Sequence, residues 1–247
     1  MSARFVFVAM GTVVSLTTVD PISRAVEDAV LTSFVALEER FSLWRDDTEG
    51  ARFARREITL AQASPQFRTV YDEAVTWRLA TGGAFTPHRP DGSVDLSGIV
   101  KAQAVADAGA VLQGAGVPGW CLNAGGDILT AGARADGRPW VAGIVDPRDR
   151  TRLFSQVTCG PDRWAVATSG TGERGEHVWR VGAEETFIQV TVSSADIVTA
   201  DVLATAILAG GPDALARASE LADIDVLACT AGDRVWATPA FRAAAVA

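Results

Sequence analysis

The chain has 247 residues, a formal net charge of −8 and 48% hydrophobic residues. This length and apolar content suffice for one large domain or two small ones with a full core. An acidic chain is a poor match for a protein that binds nucleic acid non-specifically through its phosphates, so that class is disfavoured. The three cysteines are widely spaced and form neither a disulfide framework nor a zinc pattern. We interpret them as buried structural thiols.

The N-terminal segment MSARFVFVAMGTVVSL alternates apolar and polar residues instead of forming one apolar run. That pattern predicts two short strands, Arg4–Ala9 and Thr12–Val19, joined by a bend or bulge at Met10 and Gly11. It is not typical of a signal peptide, and no run approaches the roughly 18 apolar residues of a membrane span. We therefore expect a cytoplasmic protein without a membrane span.

Periodicity predicts two helices in the next part of the chain. Apolar residues at a three-to-four spacing predict a helix over 20–41 that opens at Asp20-Pro21. A second helix is predicted over Pro65–Ala80, with its stop at Gly82-Gly83. Residues 42–64 between them are polar, carry a basic cluster and are expected to be irregular.

The segment from Val94 to Gly132 is the most informative part of the chain. It predicts a strand end, a glycine turn, a helix, a second glycine turn and a strand that closes on NAGGD at 123–127. Small residues and carboxylates at both turns let the backbone approach a charged group, which favours a nucleotide-phosphate or metal site over plain core. The G-x-G-x-x-G match at 114–119 follows a helix and precedes a strand, so we interpret it as a helix C-cap and turn.

The second half of the chain alternates between strands and helices without a linker, repeat or low-complexity tract. Strands are predicted at Trp140–Val145, Leu153–Thr158, Trp164–Ala167, Phe187–Val192, Val226–Thr230 and Val235–Trp236, and helices at 195–209 and 212–222. Adjacent strands combined with separate helices predict one compact α+β domain over residues 1–247, with mixed or antiparallel sheets and packed helices.

Asp201 and Thr205 form the clearest candidate for a cation site. They are four residues apart, so on a helix both oxygens project from one face of an otherwise apolar segment. They could bind a hard cation together with phosphate oxygens. Alternatively, Thr199 could be the N-cap of this helix, with Asp201 favoured by the helix dipole.

Lys101 and His177 are further candidates with open alternatives. Asp95 or Ser97 could merely cap the central helix, which would leave Lys101 near its first turn, where a cation is unfavourable without an anion nearby. His177 is one of two histidines, and a single histidine can be structural, exposed or catalytic.

Eight short segments, in chain order, resemble motifs of the ApbE family, the FAD:protein FMN transferases. They are MGT at 10–12, FSLWRDDTE at 41–49, GAFTP at 83–87, DLSGIVK at 95–101, NAGGD at 123–127, WVAGIVDP at 140–147, AVATSG at 165–170 and ADVLATA at 200–206. The match extends from Met10 to about Leu208. The resemblance implies an ApbE-like (T-fold-like) α+β domain.

It also implies a reaction. Such enzymes bind FAD with a divalent cation, usually Mg²⁺, split its pyrophosphate and release AMP. The FMN half passes to a Thr or Ser hydroxyl of a partner flavoprotein that carries a D-x-x-[ST]-G-A-[ST] type motif. The resemblance implies metal ligands at Asp201 and Thr205 with a backbone carbonyl near Gly98, and His177 as the base. The implied flavin-contacting residues are Met10, Trp44, Ala84, Phe85, Thr86, Asp95, Lys101 and Trp179.

The segment after His177 departs from the family pattern. The family has H-I-I-D-P-x-T-G there, whereas this chain has HVWRVG at 177–182, without the Asp-Pro or the Thr. Thr86 also stands where the family has Asp. Two alternatives follow: an FAD pyrophosphatase that gives FMN and AMP with water as acceptor, and a flavin-binding protein without turnover.

Overall fold

The computed structural model describes residues 2–170, 187–232 and 234–245. The strands are β1 Ala3–Ala9, β2 Thr12–Thr18, β3 Trp120–Ala124, β4 Asp127–Ala131, β5 Val141–Val145, β6 Leu153–Thr158, β7 Ala165–Gly170, β8 Phe187–Ser194, β9 Asp225–Thr230 and β10 Val235–Ala237. The helices are α1 Arg24–Phe41, α2 Glu49–Ala54, α3 Pro65–Ala80, α4 Ser97–Gly114, α5 Ile197–Leu221 and α6 Pro239–Ala244, with a short 3₁₀ turn at Leu60–Gln62.

Eight of these strands form one sheet in the order β1-β2-β3-β4-β7-β8-β9-β10. Every pair in it is antiparallel, and β5 and β6 form a separate two-stranded antiparallel sheet. The prediction of one α+β domain with antiparallel sheets is therefore confirmed.

The sheet buries residues on both faces. One face forms the main core with α1, α4 and α5, and Leu16, Leu122 and Val192 are fully buried there. On the other face Ile128 and Val166 pack with Ile144 in a smaller cluster that also includes residues of β6 and α6. Because successive residues of a strand point to opposite faces, both layers draw on the same central strands.

Two predictions about the segment 20–64 are wrong. The helix over 20–41 begins only at Arg24, because the Ser23 hydroxyl caps it by accepting a hydrogen bond from the Val26 N–H. The segment 42–64 is not irregular throughout, since α2 forms within it and Thr48 caps that helix by accepting from the Ala51 N–H at 3.0 Å. A helix of six residues has too few turns to give a clear periodic signal.

Helix α5 is interrupted at Gly211, which has φ 66° and ψ −150°, and Pro212 restarts the helix. The two helices predicted over 195–209 and 212–222 are therefore confirmed as two helical segments with a sharp break. One window of α5 is long and apolar enough to cross a membrane by length and composition, with mean hydropathy 1.3, but 72% of it is buried inside the protein. It packs there against α4, β7 and β8.

The cysteines differ from one another in burial. Cys159 and Cys229 are buried free thiols, as predicted, whereas Cys121 is only partly buried. Although part of this residue is exposed, desolvation of its thiol, with a smaller effect of Cys159, raises the pKa of Cys121 to about 12. A thiol with so high a pKa stays protonated and unreactive near neutral pH.

Candidate functional site

The candidate site lies at the end of the sheet where two tight hairpins meet. Met10 and Gly11 both have positive φ, 51° and 70°, and form a two-residue turn between β1 and β2. Such turns match the twist of the strands they join, so this is a regular hairpin and the predicted bend is confirmed without a bulge. The next hairpin turns at Gly125 and Gly126. A Cβ on Gly125 would lie 2.4 Å from Thr12 Oγ1, so the two tips touch.

The second of these turns belongs to the NAGGD motif. Gly125 and Gly126 have φ 61° and 97°, a region that favours glycine. The Asn123 Oδ1 atom accepts a hydrogen bond of 3.0 Å from the Gly126 N–H and so closes the turn. Asp127 follows directly and begins β4, which places its carboxylate at this end of the sheet.

Lys101 of α4 is paired with Asp127. The distance from Lys101 Nζ to Asp127 Oδ2 is 2.7 Å, and the Asp127 side chain is fully buried. The anion expected near Lys101 is thus the Asp127 carboxylate of the protein itself. The sequence alone did not predict a role for Asp127, although a carboxylate directly after two turn glycines can indicate a site residue.

The loop before α4 holds Ala84 and Phe85 between two helices. A Cβ on Gly98 would lie 3.3 Å from Phe85 Cε2, so the buried Phe85 ring covers the first turn of α4. A Cβ on Gly210 would lie 3.2 Å from the Ala84 Cβ, which places Ala84 against α5. The structure therefore brings Ala84, Phe85 and Gly98 together where α4 and α5 approach this loop.

Asp95 is held on several sides. Its Oδ2 lies 2.5 Å from Arg89 Nη2, and its Oδ1 accepts a hydrogen bond of 2.9 Å from the Ser97 N–H. The N-cap position of α4 is Leu96, which makes no side-chain capping bond, so neither Asp95 nor Ser97 is the N-cap. The nearby Thr86 hydroxyl accepts a hydrogen bond of 3.1 Å from the His88 backbone N–H.

Asp201 and Thr205 lie on α5 as the four-residue spacing predicted. Asp201 is only 4% exposed, and the Thr205 hydroxyl lies 3.1 Å from the Ser169 hydroxyl at the end of β7. The alternative with Thr199 as N-cap is wrong, because Asp196 caps α5 by accepting from the Thr199 N–H at 2.7 Å. Asp201 therefore lies beyond the first turn, where the helix dipole contributes little to its placement.

This group of oxygen atoms is chemically suited to a hard cation. Carboxylate, hydroxyl and carbonyl oxygens are the donors that Mg²⁺ prefers, and Mg²⁺ often uses few protein ligands beside phosphate and water. Within 2–170, 187–232 and 234–245 there is no group of three or more His, Cys, Asp or Glu side chains that could hold a metal. A cation here would accordingly depend on Asp201, Thr205 and the carbonyl near Gly98, which lies on a helix packed against α5.

One further candidate, Trp44, lies on the surface of the protein. Trp44 is 90% exposed in the loop after α1, and its backbone N–H donates to the Ser42 hydroxyl at 3.2 Å. An exposed indole is a free stacking surface. His177 and Trp179 lie outside the described residues, so their positions relative to the site stay predictions.

Comparisons with known proteins identify the family and the fold of this chain. The model of the ApbE family matches residues 10–89 and 86–228. This chain belongs to the ApbE family. It is 27% identical over 176 residues to the FAD:protein FMN transferase of Vibrio cholerae serotype O1, covering 65% of this chain and 52% of that protein. A Klebsiella pneumoniae protein of the same name is 26% identical over 168 residues, 62% of this chain and 48% of that protein.

The chain thus spans about half the length of these curated relatives. Among solved structures, it is similar to the flavin transferase ApbE from Vibrio cholerae, with a TM-score of 0.79 and 23% identity, over 98% of this chain and 99% of that one. The ApbE protein of Thermotoga maritima gives a TM-score of 0.82 with 18% identity over 99% of both chains. These likenesses show that the chain has the fold of other ApbE proteins.

Proposed function

We propose that this chain is a Mg²⁺-dependent FAD:protein FMN transferase. It would split the pyrophosphate of FAD, attach FMN through a phosphoester to a Thr or Ser of a partner flavoprotein, and release AMP. The observation that carries this proposal is the buried Asp201 one helical turn before Thr205, whose hydroxyl lies 3.1 Å from Ser169, in a chain of the ApbE family. The name of its curated relatives supports the same reaction.

The oxygen atoms of Asp201 and Thr205, with the carbonyl near Gly98, would hold the cation. When bound, Mg²⁺ neutralises charge on a pyrophosphate and orients it for in-line attack. Burial of Asp201 strengthens its electrostatic interaction with a cation, because fewer waters screen it.

Side chains around this centre would bind the two halves of FAD. The Lys101 ammonium carries three N–H donors, so phosphate oxygens and the Asp127 carboxylate could both accept from it. Phe85 packs on the first turn of α4 and Ala84 against α5, which would fix the loop that contacts the flavin. The exposed Trp44 ring could stack on the isoalloxazine or the adenine.

The transfer step needs a base for the acceptor hydroxyl, and we propose His177 for this role. The hydroxyl oxygen forms a bond to the phosphorus of the FMN half while the bond from that phosphorus to the bridging oxygen breaks. The hydroxyl proton passes to His177, and AMP leaves with the bridging oxygen. Met10, Thr86, Asp95 and Trp179 are proposed as further flavin contacts.

One assay tests the proposal against its two alternatives. Purified protein is incubated with FAD and Mg²⁺, with a peptide carrying a D-x-x-T-G-A-T motif, and the products are analysed by mass spectrometry. A peptide with its acceptor Thr replaced by Val and a sample with EDTA are the matched controls. An FMN-mass adduct on the Thr peptide alone supports transfer. AMP and FMN without peptide indicate a pyrophosphatase, and bound but unchanged FAD contradicts both catalytic functions.

A further inference from the structure

The ion pair between Asp127 and Lys101 joins two distant segments in the interior of the protein. The Asp127 side chain is 0% exposed and the Lys101 side chain 13%, and their charged atoms lie 2.7 Å apart. Asp127 comes from the start of β4, whereas Lys101 belongs to α4. The pair therefore fixes the helix side chain relative to the end of the sheet.

Stability alone is a weak reason for such a pair. Removing two charges from water costs free energy that their attraction only partly offsets, and apolar residues of similar volume often stabilise as well or better. The helix does not require a cation at Lys101 either, since this residue is closer to the positive N-terminal end of α4 than to its C-terminal end. The position of the ammonium thus points to a role beyond packing.

The surroundings of the pair suggest that role. Asp127 directly follows the Gly125-Gly126 turn, which touches Thr12 of the first hairpin. Lys101 lies three residues after Gly98, so the two are neighbours on one face of α4, and Gly98 is the residue covered by Phe85. The ammonium is consequently anchored beside the loop that we propose contacts FAD.

We propose that Asp127 is a positioning residue for Lys101: its carboxylate holds the ammonium so that the ammonium faces the pyrophosphate of FAD. The inference rests on the proposed function, because it takes Lys101 as a ligand of the FAD phosphates. An ammonium has three N–H donors that point in different directions, so a carboxylate and a phosphate oxygen can both accept from it. A lysine is otherwise a flexible side chain whose ordering costs binding free energy, and Asp127 removes that cost in advance.

A double-mutant cycle tests this proposal. FAD affinity is measured by titration calorimetry in EDTA, without a cation, for wild type, Asp127→Asn, Lys101→Met and the double variant. We expect Asp127→Asn to weaken FAD binding about tenfold to a hundredfold, the range for hydrogen bonds to charged groups. The double variant should bind FAD at least as tightly as Lys101→Met, since Asp127 would act only through Lys101 and its unpaired carboxylate would repel phosphate oxygens.

Two further measurements separate positioning from a general structural defect. Riboflavin has no phosphate, so its affinity should not change in Asp127→Asn, whereas a distorted site would weaken both ligands. Asp225→Asn is the matched control, because Asp225 is a buried carboxylate that pairs with Arg163 at 2.7 Å on β9. That variant should lose stability and keep its FAD affinity.

The outcomes are decisive in each case. Wild-type FAD affinity in Asp127→Asn, or weaker binding by the double variant than by Lys101→Met, overturns the positioning role. Should Asp127→Asn fail to fold, the comparison of the double variant with Lys101→Met decides alone. A wild type that transfers FMN while the cycle is additive would refute this inference only, whereas a wild type that binds no FAD, either in EDTA or with Mg²⁺, would refute the proposed function as well.

Discussion

The Ser169 hydroxyl lies 3.1 Å from the Thr205 hydroxyl, so the end of β7 is hydrogen-bonded to the middle of α5. Either oxygen can be the donor in this bond. When Thr205 donates this bond and Ser169 accepts it, the lone pairs of the Thr205 oxygen stay available to a cation. This contact gives Ser169, which the sequence did not single out as a ligand, a role in orienting a proposed ligand.

We therefore expect Ser169→Ala to weaken binding of Mn²⁺, used as a spectroscopic substitute for Mg²⁺. The loss should be about fivefold, since a hydrogen bond between neutral groups contributes about 1 kcal/mol. Thr168→Val is the matched control, because the Thr168 hydroxyl pairs with Thr191 at 2.9 Å. Electron paramagnetic resonance titration measures both, and equal affinities in the two variants would contradict an orienting role for Ser169.

Asp201→Ala should abolish metal-dependent turnover of FAD, because it removes the only carboxylate proposed to hold the cation. Asp196→Ala is a matched loss of a carboxylate from the same helix. Asp196 is the N-cap of α5, so this variant should cost about 1 kcal/mol of stability and keep turnover. AMP release with and without Mg²⁺ is the measurement, and undiminished release by Asp201→Ala would refute the cation site.

Gly109→Ala should destabilise the protein by about 1–3 kcal/mol through overpacking. Its new Cβ would lie 2.7 Å from Leu129 Cδ2 and 3.1 Å from Cη2 of the fully buried Trp120. Gly114→Ala in the same helix meets nothing within 4 Å, and should be neutral or gain up to about 1 kcal/mol from helix propensity. Urea unfolding of both variants checks this prediction. Similar midpoints would show that the side chains around Gly109 move to accept the new methyl group.

His88 should make stability depend on pH. Burial, with a smaller effect of the nearby Arg78 charge, lowers the pKa of His88 from its usual 6.5. Below pH 6.5 the unfolded chain then binds more protons at this residue than the folded one, so its contribution to stability falls as pH drops through the folded-state pKa. The Tyr71 hydroxyl lies 3.2 Å from His88 Nε2 and helps to keep the ring in place.

The test compares urea midpoints of wild type and His88→Gln between about pH 7.5 and pH 5. Wild type should lose more stability than the variant over this interval, because only wild type carries the titrating ring at position 88. The other histidine is present in both proteins, so its effect cancels in the difference. Parallel curves would show that His88 does not contribute.

Local sequence signals predicted many elements correctly. Helix α3 has the predicted bounds, because Ser64 caps it, Pro65 occupies its first turn and Gly82-Gly83 stops it. The start of α1 and the short α2 were mispredicted, since each depends on one capping hydroxyl within a polar segment. Helix α6 was not predicted for the same reason: it has six residues and a Thr238 cap.

The sequence by itself determined the fold class, because helix periodicity and turn glycines are local properties of the chain. The resemblance of eight ordered motifs indicated the family, which the family model confirmed. The sequence also placed Asp201 and Thr205 on one helix face, which follows from a spacing of four residues. Only the tertiary structure decided that Asp127 pairs with Lys101 and Ser169 with Thr205. Such pairs depend on sheet register and on the packing of helices against the sheet, and no local pattern encodes either distance.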